Sequence, residues 1–170
     1  PEINISGLSA NSSVGQDIDF ELKNKRKTKI KFEKIESIDL SNVDFVFNCL
    51  PNDQMHKIIN SITKNIRIID LSIDFRLNNI SDYKSWYEFD HESNSKIVEF
   101  HYGLTEFNRD KIKLSKHIAN PGCYATSVLT PLLALVETNL IDFKNIIVDS
   151  KSGYSGSGKT KTKQRLIDEV

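Results

Sequence analysis

Net charge is the first thing this 170-residue sequence lacks, because 23 Lys and Arg are balanced by 23 Asp and Glu. A neutral chain without a basic tail has no electrostatic footprint for nucleic acid or for an anionic membrane surface, and neither is expected as a partner. Cysteine is scarce as well. Cys49 and Cys123 are too few for a disulfide framework and are not grouped as zinc ligands are. No metal is therefore expected, and a reducing, cytoplasmic compartment suits the two thiols. No apolar run approaches the roughly 18 residues of a membrane span, and no signal peptide is visible. What remains is a globular composition, 38% hydrophobic and 27% charged, enough for one ordinary core and part of a second domain. The sequence opens on Pro1 rather than Met, so a processed or excised piece is expected.

The segment richest in chemistry is Asn120-Pro121-Gly122-Cys123-Tyr124-Ala125-Thr126-Ser127. His117-Ile118-Ala119 before it reads as a strand ended by a Pro-Gly turn, and Val128 to Leu140 after it has helical spacing. Cys123 is thus expected to open a helix. The first helical turn offers unpaired backbone N–H groups and the positive end of the macrodipole, both of which favour thiolate over thiol. A thiolate there attacks acyl carbons; the alternative reading is a small packed hydrophobe. Pro131 falls inside the helical pattern and costs about 3 kcal/mol there unless the helix kinks or restarts.

Elsewhere the pattern alternates strand and helix. Ile3, Ile5 and Leu8 make a short strand-like start, followed by Ser9-Ala10-Asn11-Ser12-Ser13. The lysine-rich residues 23 to 34 read as a solvated strand and turn. Val43 to Leu50 is a nearly continuous apolar run stopped by Pro51, the signature of a buried parallel strand. Asn52 or Asp53 is positioned to cap the next helix, in which Met55, Ile58, Ile59 and Ile62 share a face. Ile66, Ile68 and Ile69 form another buried strand running into Asp70-Leu71-Ser72. A strand, a helix and a strand within so short a span make a parallel crossover unit, so the class is α/β. Residues 78 to 95 read as a surface loop whose aromatics pack onto the core. Tyr102 to Glu106 reads as a turn before a polar helix, Asn108 to Ser115, and Ile146-Ile147-Val148-Asp149 as a last strand.

A Ser/Gly loop follows that strand. Gly153-Tyr154-Ser155-Gly156-Ser157-Gly158-Lys159-Thr160 fits G-x-x-x-x-G-K-[ST] in full, which admits a phosphate-loop nucleotide-binding protein as an alternative. Against it, Asp149 to Ser152 separate the apolar strand from Gly153, and too little sequence follows Thr160 for an acidic, magnesium-holding strand. A loop whose N–H groups bind some other phosphate has the same appearance.

Four blocks together resemble N-acetyl-gamma-glutamyl-phosphate reductase, in the wider aspartate-semialdehyde dehydrogenase-like group. They are Asp70-Leu71-Ser72-Ile73-Asp74-Phe75-Arg76, Tyr102-Gly103-Leu104-Thr105-Glu106, Asn120-Pro121-Gly122-Cys123-Tyr124-Ala125-Thr126 and Ser152-Gly153-Tyr154-Ser155-Gly156-Ser157-Gly158. Their order and spacing agree with the family across practically the whole chain, and Asn-Pro-Gly-Cys-Tyr is the most specific. Departures are few: the family often has Pro at the places of Thr105 and Ala125, and usually Ala-Gly-Arg where Ser157-Gly158-Lys159 stands. The phosphate-loop match is then a coincidence of a Lys at an Arg position.

The resemblance implies an incomplete Rossmann-type NADP-binding domain over residues 1–119, without its first strand and Gly-rich loop. It implies also the start of an α+β catalytic and dimerisation domain over residues 120–170. The expected reaction is NADPH-dependent reduction of an acyl phosphate to an aldehyde, with aspartyl or aminoadipyl phosphate as alternative substrates to N-acetyl-gamma-glutamyl phosphate. Cys123 is the implied nucleophile, with Asn120 stabilising the oxyanion or simply holding the turn. Ser152, Gly153, Ser155 and Gly156 are implied to hold substrate and nicotinamide, and Lys159 either meets the departing phosphate or is only solvated. The family's base falls beyond residue 170, so none of His56, His91, His101 and His117 is assigned catalysis. A homo-oligomer is expected of the complete enzyme, and inactivity of this fragment alone.

Cofactor choice has a separate clue. An NAD-binding strand of this kind ends in Asp or Glu for the ribose hydroxyls, whereas Ser9, Asn11, Ser12 and Ser13 stand here. Hydroxyls and amides tolerate a 2′-phosphate that a carboxylate repels, which favours NADP over an ordinary polar turn. Pro51 and Ser72, at strand C-terminal ends, complete the expected cofactor contacts.

Overall fold

The structure, a computed structural model, describes residues 3–18, 30–62, 65–138, 140–153 and 156. It divides into two compact units, Pro1–Asn120 and Pro121–Val170. In the first, β1 (Leu8–Ser9) pairs in parallel with β2 (Phe32–Glu33). A second sheet contains β3 (Phe45–Asn48), β4 (Arg67–Asp70), β5 (Phe100–Tyr102) and β6 (His117–Ala119) in the order β3-β4-β6-β5, every neighbouring pair parallel. Between its strands run α1 (Met55–Ile58), α2 (Ile80–Tyr87), α3 (Asn94–Ile97) and α4 (Thr105–Leu114). The α/β class expected from the alternating pattern is the one observed. No helix among the described residues is long and apolar enough to cross a membrane.

β-Branched side chains account for the central strand. Ile66 and Ile68 are 2% exposed, and Ile68 joins Met55, Ile59, Phe75, Tyr83, Ile97, Phe100 and Ala119 in one core cluster. The expected apolar face of α1 is present too, since Ile58 and Ile62 pack against that cluster. A single 3-10 turn, Ile59–Ser61, ends this helical segment.

Several local expectations are corrected by tertiary context. The run Val43 to Leu50 is a parallel strand buried on one face only: Asn48 is buried and Val46 packs against the core, whereas Phe45 and Phe47 on the other face are 49% and 62% exposed. Arg67, beside Phe45 on β4, is exposed as well. The Arg67 guanidinium sits 5.7 Å from the Phe45 ring centroid and covers part of that face. Ile3 and Ile5 lie outside β1 and are exposed. Residues 78 to 95 are not a loop, because α2 and the start of α3 form there; their aromatics pack onto the core as expected, Tyr83 within it and Tyr87 and Phe89 against it, with Trp86 exposed. α4 starts earlier than Asn108, and that residue interrupts it with φ −113°, ψ 18°. Ile146 to Asp149 forms no strand among the described residues: Ile147 is 94% exposed and no neighbouring strand satisfies its backbone. Of the lysine-rich span, residues 23–29 lie outside the described residues.

In the second unit, α5 (Cys123–Glu137) runs unbroken through Pro131, with neither a restart nor a second helix. It is followed by a 3-10 turn, Phe143–Asn145, in which the Asp142 side chain accepts from the Lys144 amide.

His117 illustrates how the sheet uses histidine. Its Nδ1 accepts the Ile68 N–H at 3.2 Å, and Nε2 lies 3.5 Å from Glu99. Burial first, and the Lys116 charge second, push its pKa down to about 4 from the ordinary 6.5. With the folded pKa depressed, the unfolded chain takes up the proton first. This contribution to stability is present above 6.5 and is lost as pH falls toward about 4. A His117→Asn variant, which keeps an acceptor for Ile68, is expected to show a shallower fall in urea midpoint across that window. An identical slope in both proteins would remove His117 from the acid response.

Candidate active site

Parallel sheets gather polar loop residues at the carboxyl ends of their strands, where ligands of such folds bind. In this sheet those ends are joined by an internal polar network. The buried Asp70 carboxylate accepts from Asn48 Nδ2 at 2.5 Å, from the Ser72 amide at 2.9 Å and from Ser72 Oγ at 2.8 Å. Burial raises the Asp70 pKa, opposed by the bonds from Asn48 and Ser72. Ser72 Oγ in turn accepts the Asp74 amide at 3.2 Å. The backbone of Asn120, just past β6, is held on both sides. Its N–H donates to the Asp70 carbonyl at 2.8 Å, and its carbonyl accepts Arg76 Nε at 2.8 Å. Arg76 Nη2 also donates to the Leu71 carbonyl at 2.9 Å, tying the ends of β4 and β6 together.

Neither Asn52 nor Asp53 caps α1, contrary to the expectation from their position. The N-cap residue is Gln54, without a side-chain bond, and the cap comes from Asp74. Its Oδ1 accepts the Asp53 amide at 2.8 Å, and its Oδ2 accepts the amides of Gln54, Met55 and His56 at 3.0, 2.7 and 3.2 Å. Asp53 turns its own carboxylate to His56 and Lys57, and these bonds, Lys57 first, lower its pKa. His56 and His91 are buried and stacked at 4.6 Å, each with Nδ1 accepting a backbone N–H. His91 Nε2 donates to the Asp74 carbonyl at 2.8 Å. His101 is exposed.

In the second unit the thiol of Cys123 is exposed at the first residue of α5, directly after the extended N-cap Gly122 (φ −69°, ψ 158°). The turn closes on Gly122: its carbonyl accepts the Thr126 amide at 2.9 Å and Thr126 Oγ1 at 3.0 Å. Tyr124 and Ser127, on the same turns, line a groove of about 470 Å³ with Ile146 to Lys151. That segment leads into the exposed Ser152 and Gly153, where the Gly156 amide donates to the Gly153 carbonyl at 3.0 Å. Ser155 and Lys159 lie outside the described residues, as does most of the phosphate-loop match.

The other sequence-selected residues fall in two places. Pro51 is exposed in the loop after β3, and Ser72 is buried just past β4, adjacent strands whose final residues Asn48 and Asp70 are paired. Ser9 ends β1 in the other sheet, followed by exposed Ser12 and half-buried Ser13. No carboxylate stands among them before Asp17. Sequence reasoning passed over Asn48, Asp70, Asp74 and Arg76 as individuals. The available signal was the alternation Asp70, Ser72, Asp74 directly after a buried strand, since acidic groups in such a place need partners.

Residues 1–115 match the semialdehyde dehydrogenase NAD-binding domain, and residues 123–170 match the semialdehyde dehydrogenase dimerisation domain. Over the whole chain the sequence is 42% identical to N-acetyl-gamma-glutamyl-phosphate reductase of Ehrlichia ruminantium (strain Gardel), spanning 50% of that protein. It is 38% identical to the probable chloroplastic N-acetyl-gamma-glutamyl-phosphate reductase of Arabidopsis thaliana, again along its whole length and over 43% of the plant protein. The Paracoccus denitrificans reductase of the same name is 38% identical over 99% of the chain and 50% of its own length. The chain thus spans about half the length of these curated relatives.

Proposed function

The chain belongs to the semialdehyde dehydrogenase family, and on that premise we propose that it serves the NADPH-dependent reduction of N-acetyl-gamma-glutamyl phosphate to the 5-semialdehyde, in arginine biosynthesis. The observation that carries this reading is the exposed thiol of Cys123 at the first residue of a 15-residue helix, behind a glycine N-cap. An acyl phosphate asks for such a group. Cys123 Sγ attacks the acyl carbon, the bond from that carbon to the phosphate oxygen breaks, and phosphate leaves with the electron pair. The thioester so formed is a better hydride acceptor than a carboxylate. When bound, the nicotinamide cofactor supplies the hydride. The tetrahedral adduct on Cys123 then collapses: its oxyanion re-forms the carbonyl, the carbon–sulfur bond breaks, and the thiolate is regenerated as the aldehyde leaves. The released phosphate takes up one proton.

Asn120 and the N–H groups of the first turn of α5 are assigned to the oxyanion. Ser152, Gly153, Ser155 and Gly156 hold substrate and nicotinamide, and Lys159 meets the departing phosphate. Residues 1–119 act as the cofactor domain, with Ser9, Ser12, Ser13, Pro51 and Ser72 on the NADP side. Residues 120–170 begin the catalytic and dimerisation domain of a cytoplasmic homo-oligomer.

The test is run in reverse on the full-length enzyme. N-acetylglutamate 5-semialdehyde is expected to drive phosphate-dependent reduction of NADP, with aspartate and aminoadipate semialdehydes at least about tenfold poorer in kcat/KM, a preference worth about 1.4 kcal/mol. Preference for either of the others would move the substrate assignment; no phosphate requirement would remove the acyl-phosphate chemistry. For the cofactor, Ser12→Asp is expected to raise the KM for NADPH roughly tenfold or more while leaving that for NADH little changed. Equal effects on both would separate Ser12 from the 2′-phosphate.

A further inference from the structure

The loop after β3 and the loop after β4 are linked in both directions, by the Asp74 carboxylate to the amides of residues 53–56 and by Asn52 Oδ1 to the Ile73 amide. We propose that Asp74 is a positioning residue for the cofactor, clamping the Pro51–Gln54 loop against the Leu71–Asp74 loop so that Pro51 is presented in a fixed place. This rests on the NADP-binding role proposed above for the ends of β3 and β4.

Four successive amides, those of Asp53 to His56, converge on this one fully buried carboxylate. A carboxylate that also satisfies the orphan donors of a helix start gains charge-assisted bonds at each of them. The link is returned in the other direction, because the Ile73 amide donates to Asn52 Oδ1 at 3.3 Å. Asp53 has φ 62°, in the left-handed region that a non-glycine residue enters at a cost. Such a conformation persists only where the surroundings over-determine it, and here the Asp53 N–H is held by Asp74. The clamp is itself anchored: the Asp74 amide donates to Ser72 Oγ, and its carbonyl accepts from the buried His91. The bonds to Gln54, Met55 and His56 supply the partners that a helix start lacks, whereas the bond to the Asp53 amide and the return bond from Ile73 to Asn52 act between the two loops. The consequence of the arrangement is a rigid rim at the ligand-binding end of the sheet.

The experiment compares Asp74→Asn and the milder Asn52→Ala with wild type in the full-length enzyme. It reads KM for NADPH and for the acyl phosphate, kcat, and hydrogen exchange of amides 53–56. The expected result is an NADPH KM raised roughly tenfold by Asp74→Asn and several-fold by Asn52→Ala, as a mispositioned contact loses binding rather than chemistry. The acyl-phosphate KM and kcat should stay within about twofold of wild type, and exchange at 53–56 should quicken. A purely structural carboxylate would lower stability and leave the NADPH KM of the folded enzyme unchanged, which overturns the proposal. If Asp74→Asn does not fold, Asn52→Ala decides by the same criterion. Faster exchange in an enzyme whose wild type binds no NADPH would instead locate the failure in the cofactor reading, and the proposal falls with it.

Discussion

Cys123→Ser in the full-length enzyme is expected to lower acyl-phosphate-dependent NADPH oxidation by about 10³-fold or more, the scale on which loss of a nucleophile is felt. Serine at the start of α5 keeps the helix, the Gly122 cap and the two Thr126 bonds to the Gly122 carbonyl, so the fold gives no reason for the loss. What disappears is the thioester: an alkoxide is far harder to form than a thiolate, and the ester it would give is a poorer hydride acceptor. NADPH binding should survive, because the residues assigned to the 2′-phosphate, Ser9, Ser12 and Ser13, belong to the other unit. Mass spectrometry after mixing wild type with acyl phosphate and no NADPH should find the acyl group on the Cys123 peptide. Cys49 is also exposed, so a Cys49→Ser background removes the other thiol from this readout. Turnover above about a tenth of wild type in Cys123→Ser would sink the covalent route.

Tyr83→Ala carries the largest expected effect on stability, a loss of about 3–5 kcal/mol, the cost of deleting a buried aromatic ring. Tyr83 is 0% exposed and meets His91, Phe89 and Tyr87 at ring separations of 4.6, 5.4 and 6.0 Å. Its hydroxyl accepts the Leu77 amide at 2.9 Å and donates to the Leu77 carbonyl at 3.1 Å, while burial pushes the phenol pKa up. Tyr83→Phe separates these contributions: it keeps the ring and strands both Leu77 groups, at about 1–3 kcal/mol. Leu77 follows Arg76, whose guanidinium holds the Asn120 carbonyl, so loosening this anchor also loosens the carboxyl end of β6. Urea unfolding of the three proteins checks both numbers. A loss under about 1 kcal/mol for Tyr83→Ala would mean that the ring is not packed as described.

Much of this was open to reading along the chain because the relevant forces are local. The strand before each loop shows in the Ile and Val runs, the start of α5 in Pro121-Gly122, and the shared face of Met55, Ile58, Ile59 and Ile62 in its period. The four family blocks likewise stand in order along the chain. Cys123 at a helix start follows from neighbours alone.

The rest depends on partners distant in sequence. The amides of α1 are capped by Asp74, 18 to 21 residues downstream, and no local rule prefers it to Asn52 or Asp53, which are nearer. Whether Phe45 and Phe47 are buried is decided by which face of the sheet is packed, because Val46 and Asn48 of the same run meet the core side while Phe45 and Phe47 lie on the open side with Arg67. The aromatics of 78–95 look like a loop until α2 turns Tyr83 inward and Trp86 outward. Ile146 to Val148 has the composition of a strand and no strand beside it among the described residues. Composition, turn residues and period therefore determined the α/β class and placed Cys123 at a helix start, and the four sequence blocks carried the family. Tertiary structure decided which carboxylate caps which helix, which face is dry and which apolar run pairs, because a hydrogen bond or a buried ring needs a second partner that the chain brings near only by folding.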